Sequence, residues 1–223
     1  MSSPRFPDTA GELSLPGPAG RLQVVVDPPE AGVSPQPVIA IVCHPLPTEG
    51  GTLHNKVVTM AARALRELGV TTVRFNFRGT GQSEGSFDNG DGESEDLRAV
   101  AEWVRAQRPD HALWLAGFSF GAFVSIRMAA ALQPTLLLSI APPVDRGWGL
   151  VDAALPQMPW IVIQGDADEI VSPQAVYDWV AALPREVLLL KVPDTSHFFH
   201  GKLVELRELI RLYVKSFLPD AAA

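Results

Sequence analysis

Gly117-Phe118-Ser119-Phe120-Gly121 lies between the apolar run Ala112 to Ala116 and the apolar-periodic run Ala122 to Leu132. A Gly-x-Ser-x-Gly pattern between a strand and a helix holds a serine hydroxyl on a sharp turn above the edge of a sheet, where it can act as a nucleophile. The spacing has a steric reason: strand and helix pass so close that the positions two before and two after the serine tolerate little bulk. The backbone N–H of Phe120 then sits at a helix N-terminus, free to face an oxyanion. A chain of this composition contains the bare pattern by chance in roughly one case in twelve. Other residues must therefore carry the assignment with it.

A serine hydroxyl is a poor nucleophile at neutral pH unless a base takes its proton, and a histidine held by a carboxylate is the usual base. His197 closes the polar turn Asp194-Thr195-Ser196-His197 after the last apolar run, and Asp168 closes Asp166-Ala167-Asp168 after the run Trp160 to Gln164. Strand-end position and the order serine, acid, base favour Ser119, Asp168 and His197. His200, expected in the first turn of the last helix, competes as base. Asp166, two residues nearer its strand, and Asp145, after the preceding strand, compete as acid. If Asp168 points inward, Glu169 is expected to point away. His44 precedes the serine and is expected to shape a loop; His54 and His111 fall at exposed positions or element ends. The second oxyanion donor should come from the loop after Val38 to Cys43, where Pro45 and Pro47 lack an N–H and leave Leu46. A rigid turn with no chemical role is the alternative for that loop.

The elements that must position these residues follow from periodicity. Glu12 to Leu15 and Leu22 to Val26 alternate and predict an antiparallel pair joined by a Pro/Gly turn. Val38 to Cys43, Thr72 to Phe77, Ala112 to Ala116, Leu136 to Ile140, Trp160 to Gln164 and Val187 to Val192 are short apolar runs, as expected of strands covered on both faces. Helical patterns fall at Asn55 to Leu68, Ser94 to Gln107, Ala122 to Leu132, Ala175 to Leu183 and Lys202 to Phe217. Strand and helix alternate, which predicts an α/β fold: an open, mostly parallel twisted sheet of about eight strands with helices on both faces, in a single domain over residues 1–223. Sites in such sheets lie at the carboxyl ends of strands, where all the candidates fall.

Composition removes several function classes. The net charge of −7 argues against a nucleic-acid or anionic-membrane partner. No apolar run approaches the ~18 residues of a membrane helix, and Met1 to Ala10 lacks the apolar stretch of a signal peptide, so the expected location is cytoplasmic. Cys43 is the only cysteine, which excludes an intramolecular disulfide and a multi-cysteine zinc site. Gly79-Thr80-Gly81-Gln82-Ser83-Glu84-Gly85 fails as a dinucleotide fingerprint because its third glycine is one residue late and no helix pattern opens there. Arg78 is expected to anchor its loop rather than bind substrate. Asp88 to Asp96 is expected to be a solvated loop leading into a helix with acidic first-turn residues. No metal or organic cofactor is expected.

Together, His44-Pro45, Asn76-Phe77-Arg78-Gly79-Thr80-Gly81-Gln82-Ser83-Glu84-Gly85, the serine turn, Gly165-Asp166-Ala167-Asp168-Glu169-Ile170-Val171 and Ser196-His197-Phe198 resemble the α/β-hydrolase superfamily over nearly the whole chain. The chain looks most like small, lidless bacterial serine hydrolases near the dienelactone hydrolases. Pro45 departs from the usual His-Gly of the first oxyanion loop. The resemblance implies an esterase-type nucleophile and no large cap, since only Ala141 to Pro159 separates the strands between which caps are inserted. Trp148, Leu150, Leu155, Met158 and Trp160 are candidates for an acyl-pocket wall, with buried core as the alternative for each. The expected function is hydrolysis of small or medium carboxylic esters or thioesters: Ser119 attacks, His197 carries the proton, Asp168 orients the imidazole, and Phe120 and Leu46 hold the oxyanion. The alternatives are acyl transfer or perhydrolysis by the same triad, and a non-catalytic binding module.

Overall fold

The computed structural model describes residues 3–150 and 157–219. In its third strand, β3 (Val38–Cys43), Ile39, Ile41 and Cys43 enter one apolar core while Val38, Ala40 and Val42 enter another. Side chains alternate across a strand, so a continuous apolar run is what a strand with a core on each face requires. β5 (Ala112–Phe118) repeats the arrangement, with Leu113 and Leu115 on one side and Trp114, Ala116 and Phe118 on the other.

These strands belong to one eight-stranded sheet, ordered β1-β2-β4-β3-β5-β6-β7-β8. Its other members are β1 (Gly11–Gly17), β2 (Gly20–Asp27), β4 (Thr71–Phe75), β6 (Leu136–Ile140), β7 (Trp160–Gly165) and β8 (Leu188–Val192). β2 runs antiparallel to both of its neighbours, and from β4 to β8 every pairing is parallel. The helices are α1 (Lys56–Arg66), α2 (Asp91–Gln107), α3 (Phe120–Leu132), α4 (Pro173–Ala182) and α5 (Leu203–Val214). Val57, Ala61 and Leu65 of α1 and Leu206, Ile210 and Val214 of α5 bury into one core. Leu97 and Val104 of α2, Phe123 of α3 and Val176 of α4 bury into the other. Helices therefore cover both faces, as the alternating pattern predicts.

Element ends differ from the periodicity where side chains fold back on the backbone. α2 starts at Asp91, three residues before the predicted Ser94, because the Glu93 carboxylate accepts the N–H groups of Gly90 at 2.7 Å and Asp88 at 3.0 Å. Part of the stretch expected to be solvated is thus a buried cap, with Glu93 and Asp96 both 0% exposed. Asp96 accepts the Arg78 guanidinium, the shortest contact being 2.8 Å, and also the Arg78 N–H at 2.9 Å. Arg78 anchors its loop, as expected, and does not reach the serine. Among the described residues no helix is long and apolar enough to cross a membrane.

Candidate active site

The turn between β5 and α3 is built around its two glycines. A Cβ on Gly117 would lie 2.2 Å from the Gly121 carbonyl oxygen, and one on Gly121 would lie 2.3 Å from that of Cys43. Ser119 between them has φ 53° and ψ −119°, in the left-handed half of the backbone map. Such a conformation costs on the order of 1–3 kcal/mol and persists only where the surroundings impose it. Here the Ser119 N–H is held by the Ile140 carbonyl at 2.9 Å, and its own carbonyl accepts the amides of Ala122 and Phe123.

The structure brings Ser119, His197 and Asp168 together from three strand ends. His197 Nε2 lies 3.1 Å from Ser119 Oγ, and His197 Nδ1 lies 2.8 Å from Asp168 Oδ2. An ionised carboxylate only accepts, so the ring proton sits on Nδ1 and leaves Nε2 free to accept from the serine. Phe118 and Phe198 pack on the imidazole with centroids at 4.9 and 5.1 Å, and the ring is 2% exposed.

Asp168 fills its hydrogen-bonding capacity. Oδ1 accepts the amides of Ile170 at 2.9 Å and Val171 at 2.8 Å, and Oδ2 accepts Gln164 Nε2 at 3.0 Å besides His197. Burial, the largest influence, pushes this carboxyl up; the His197 hydrogen bond and charge and the two amides outweigh it and hold the group below its ordinary range. Neither competitor occupies this place. Asp166 Oδ1 accepts the Asp194 amide at 2.7 Å, and Asp145 Oδ2 accepts that of Ser172 at 3.1 Å. His200 is exposed and precedes α5, which begins only at Leu203, so it lies outside the helix it was expected to open.

Phe120 opens α3, where no intrahelical acceptor is available to its N–H. Leu46 lines the cleft that also holds Ser119 and His197, and its N–H meets no acceptor among the described residues. The peptide that carries this N–H is held from behind. His44 Nδ1 lies 2.7 Å from Pro45 O, and His44 Nε2 accepts the Phe77 N–H at 3.0 Å. Since the Phe77 amide can only donate, Nε2 must be bare and Nδ1 must carry the proton. His44 is 0% exposed, and burial lowers its pKa to about 4 against a smaller opposing effect of the Pro45 carbonyl. Gly51 completes the clamp, since a Cβ there would sit 2.1 Å from Pro45 O.

The cleft has a volume of about 600 Å3 and is open to solvent; Pro143, Trp148, Ile170, Val171 and Phe198 give it an apolar side, with Glu49, Asn55, Arg146 and Glu169 at its polar margins. Of the residues expected as acyl-pocket walls, Trp148 lines it. Leu150 and Trp160 are each 2% exposed within the core, Met158 packs against that core, and Leu155 lies outside the described residues. Large apolar side chains near a site gain more from full burial than from a wall position, and sequence alone does not distinguish the two. The neighbouring cysteine takes no part: burial pushes the Cys43 thiol up to about 12, leaving it a neutral hydrophobe.

Glu169 corrects a further expectation. It does not turn away from the site: its Oε2 accepts the His197 N–H at 3.0 Å, and the residue lines the cleft. His44 shapes the loop after β3, as expected, whereas the role of Gln164 beneath Asp168 escaped the sequence reading. A polar residue near the end of a buried strand must find a partner, and that is the signal Gln164 carries.

Residues 20–152 match the model of the X-Pro dipeptidyl-peptidase (S15) family. The fold superposes on a lidless α/β serine hydrolase from Xanthomonas campestris with a TM-score of 0.95 and 63% identity, covering 99% of this chain and 100% of that one. An α/β serine hydrolase homologue from Coxiella burnetii gives a TM-score of 0.87 and 44% identity, over 94% and 99% of the two chains. An uncharacterised protein of Rickettsia prowazekii is 35% identical over 213 residues, 91% of this chain and 88% of that protein.

Proposed function

Because the chain belongs to the α/β-hydrolase superfamily, through the S15 family it matches and its lidless serine-hydrolase relatives, we propose that it hydrolyses small or medium carboxylic esters or thioesters through an acyl-enzyme on Ser119. The observation that carries this reading is the unbroken chain Ser119 Oγ, His197 Nε2, His197 Nδ1, Asp168 Oδ2, with its two contacts at 3.1 and 2.8 Å.

In the first half-reaction Ser119 Oγ attacks the acyl carbon while His197 Nε2 takes the hydroxyl proton. Asp168 stays ionised and stabilises the imidazolium. The oxyanion of the tetrahedral intermediate accepts the N–H groups of Phe120 and Leu46, the former aided by the positive end of the α3 dipole. As the bond from acyl carbon to leaving group breaks, His197 returns its proton to the departing alkoxide or thiolate. Water then attacks the acyl-enzyme with His197 as base, and the acid leaves as Ser119 recovers its proton. The apolar side of the cleft suits an acyl chain, and its open mouth suits leaving groups of varied size.

A panel of nitrophenyl esters of increasing chain length tests this. The reading expects hydrolysis with a burst of nitrophenol stoichiometric with enzyme whenever deacylation is the slower step, and none of it in Ser119→Ala. Undiminished turnover in that variant would contradict it.

A further inference from the structure

Three of the four residues from Asp166 to Glu169 carry carboxylates, and each holds a different point of the loop that bears His197. Asp166 Oδ1 accepts the Asp194 amide at 2.7 Å, Asp168 Oδ2 accepts His197 Nδ1 at 2.8 Å, and Glu169 Oε2 accepts the His197 amide at 3.0 Å. Main-chain bonds join the same two loops, from Asp166 N–H to Val192 O at 3.0 Å and from Ala167 N–H to Thr195 O at 3.2 Å. The approach is close enough that a Cβ on Gly165 would lie 2.3 Å from Thr195 O.

The histidine loop needs such contacts. Asp194 and Phe199 hold φ values of 50° and 54°, left-handed conformations that aspartate tolerates but that a bulky phenylalanine adopts only when held. Thr195 and Phe199, both 0% exposed, pin the loop into the protein on either side of the histidine. Between those pins, the Asp168 contact fixes the ring at Nδ1 but leaves the main chain of His197 untouched. Glu169 supplies the missing restraint, and among the described residues it is the one acceptor of the His197 N–H. Its carboxylate enters no ion pair within 4.0 Å among the described residues, so no cation competes for it.

We propose that Glu169 is a positioning residue for His197, fixing the backbone end of the side chain while Asp168 fixes the ring. The proposal rests on His197 serving as the base for Ser119. With both ends held, Nε2 stays within reach of Ser119 Oγ; with only the ring held, the loop can pivot about Asp168 and lengthen the 3.1 Å contact.

The test compares wild type, Glu169→Ala and Glu169→Gln in the second-order rate of labelling by a fluorophosphonate, in kcat and KM for a nitrophenyl ester, and in melting temperature. Glu169→Ala is expected to slow labelling and kcat by about tenfold with KM within about twofold, and to melt within about 2 °C of wild type because the residue is exposed. Glu169→Gln keeps an oxygen acceptor and is expected to recover most of the rate. Labelling of Glu169→Ala at the wild-type rate would overturn the proposal. So would an effect confined to KM, which would make Glu169 a substrate contact, or a glutamine variant as slow as the alanine, which would make charge the cause. Failure of wild type itself to label would instead overturn the serine-hydrolase reading, and the positioning role with it.

Discussion

His44 Nε2 accepts the N–H of Phe77 at 3.0 Å, so this buried imidazole is compatible with the fold only while neutral. A second proton would turn the acceptor into a donor facing a donor. Burial accordingly lowers the His44 pKa from 6.5 to about 4. Between those values the unfolded chain binds a proton that the native protein refuses, so stability falls as pH falls through the window. The loss reaches roughly 3 kcal/mol near pH 4. Urea denaturation at closely spaced pH values should reveal this slope, and His44→Gln should flatten it between pH 6.5 and 4 whatever it does to stability at neutral pH.

Asp168 adds a separate acid limb. Its carboxyl lies below the ordinary value of 3.8 in the folded protein, so its stabilisation is present above that value and is lost as pH falls below it. Four donors converge on this carboxylate, and no orientation of an asparagine side chain can accept from all of them. Asp168→Asn is expected to lose about 10³- to 10⁴-fold in kcat and about 2 kcal/mol in stability. Ester hydrolysis and urea unfolding of the same preparation measure the two effects.

The glycines of the serine turn should not accept a methyl group. In Gly121→Ala the added Cβ would press on the carbonyls of Cys43 and His44 at 2.3 and 2.6 Å, both backbone atoms of a buried strand end. A cost of about 3 kcal/mol is expected from such overpacking, read from the urea midpoint at constant slope. Gly50→Ala is a control of a different kind: a Cβ there meets nothing within 4 Å, but φ is 79°, so its cost is conformational alone and is expected to be about 1 kcal/mol.

Trp148 packs edge-on against Phe120 at 5.2 Å and lines the cleft. Truncating it opens space on the apolar side. Trp148→Ala should move the preference among nitrophenyl esters toward longer acyl chains, changing the kcat/KM ratio of octanoate to butyrate by about tenfold. An unchanged chain-length profile would remove Trp148 from the acyl site.

Strands β3 to β7 were legible as continuous apolar runs because both faces of the sheet are covered there, and β1 and β2 were legible from their alternation; β8, read as a run covered on both faces, is an edge strand with Leu188 and Lys191 exposed. The boundaries failed where a side chain replaced a backbone partner. Glu93 draws three apparently solvated residues into α2, and the run to Phe77 overshoots β4, which ends at Phe75, because His44 takes the Phe77 amide beyond the ladder. The serine, acid and base could be proposed from chain order and strand ends. What supports them from behind could not. Glu169 acts between two loops 28 residues apart, Gln164 donates from β7 to a carboxylate beyond the strand end, and His44, read as shaping its loop, finds its Phe77 partner 33 residues away; no local pattern encodes which polar side chain meets which partner.

The central claim is that Ser119 is a nucleophile activated by His197, and covalent labelling tests it most directly. Fluorophosphonate-treated protein should gain one probe mass, located on the peptide that contains Ser119. Ser119→Ala should gain none, and His197→Ala should label far more slowly while remaining folded. Absence of an adduct on the native protein, or an equal adduct on Ser119→Ala, would contradict the account.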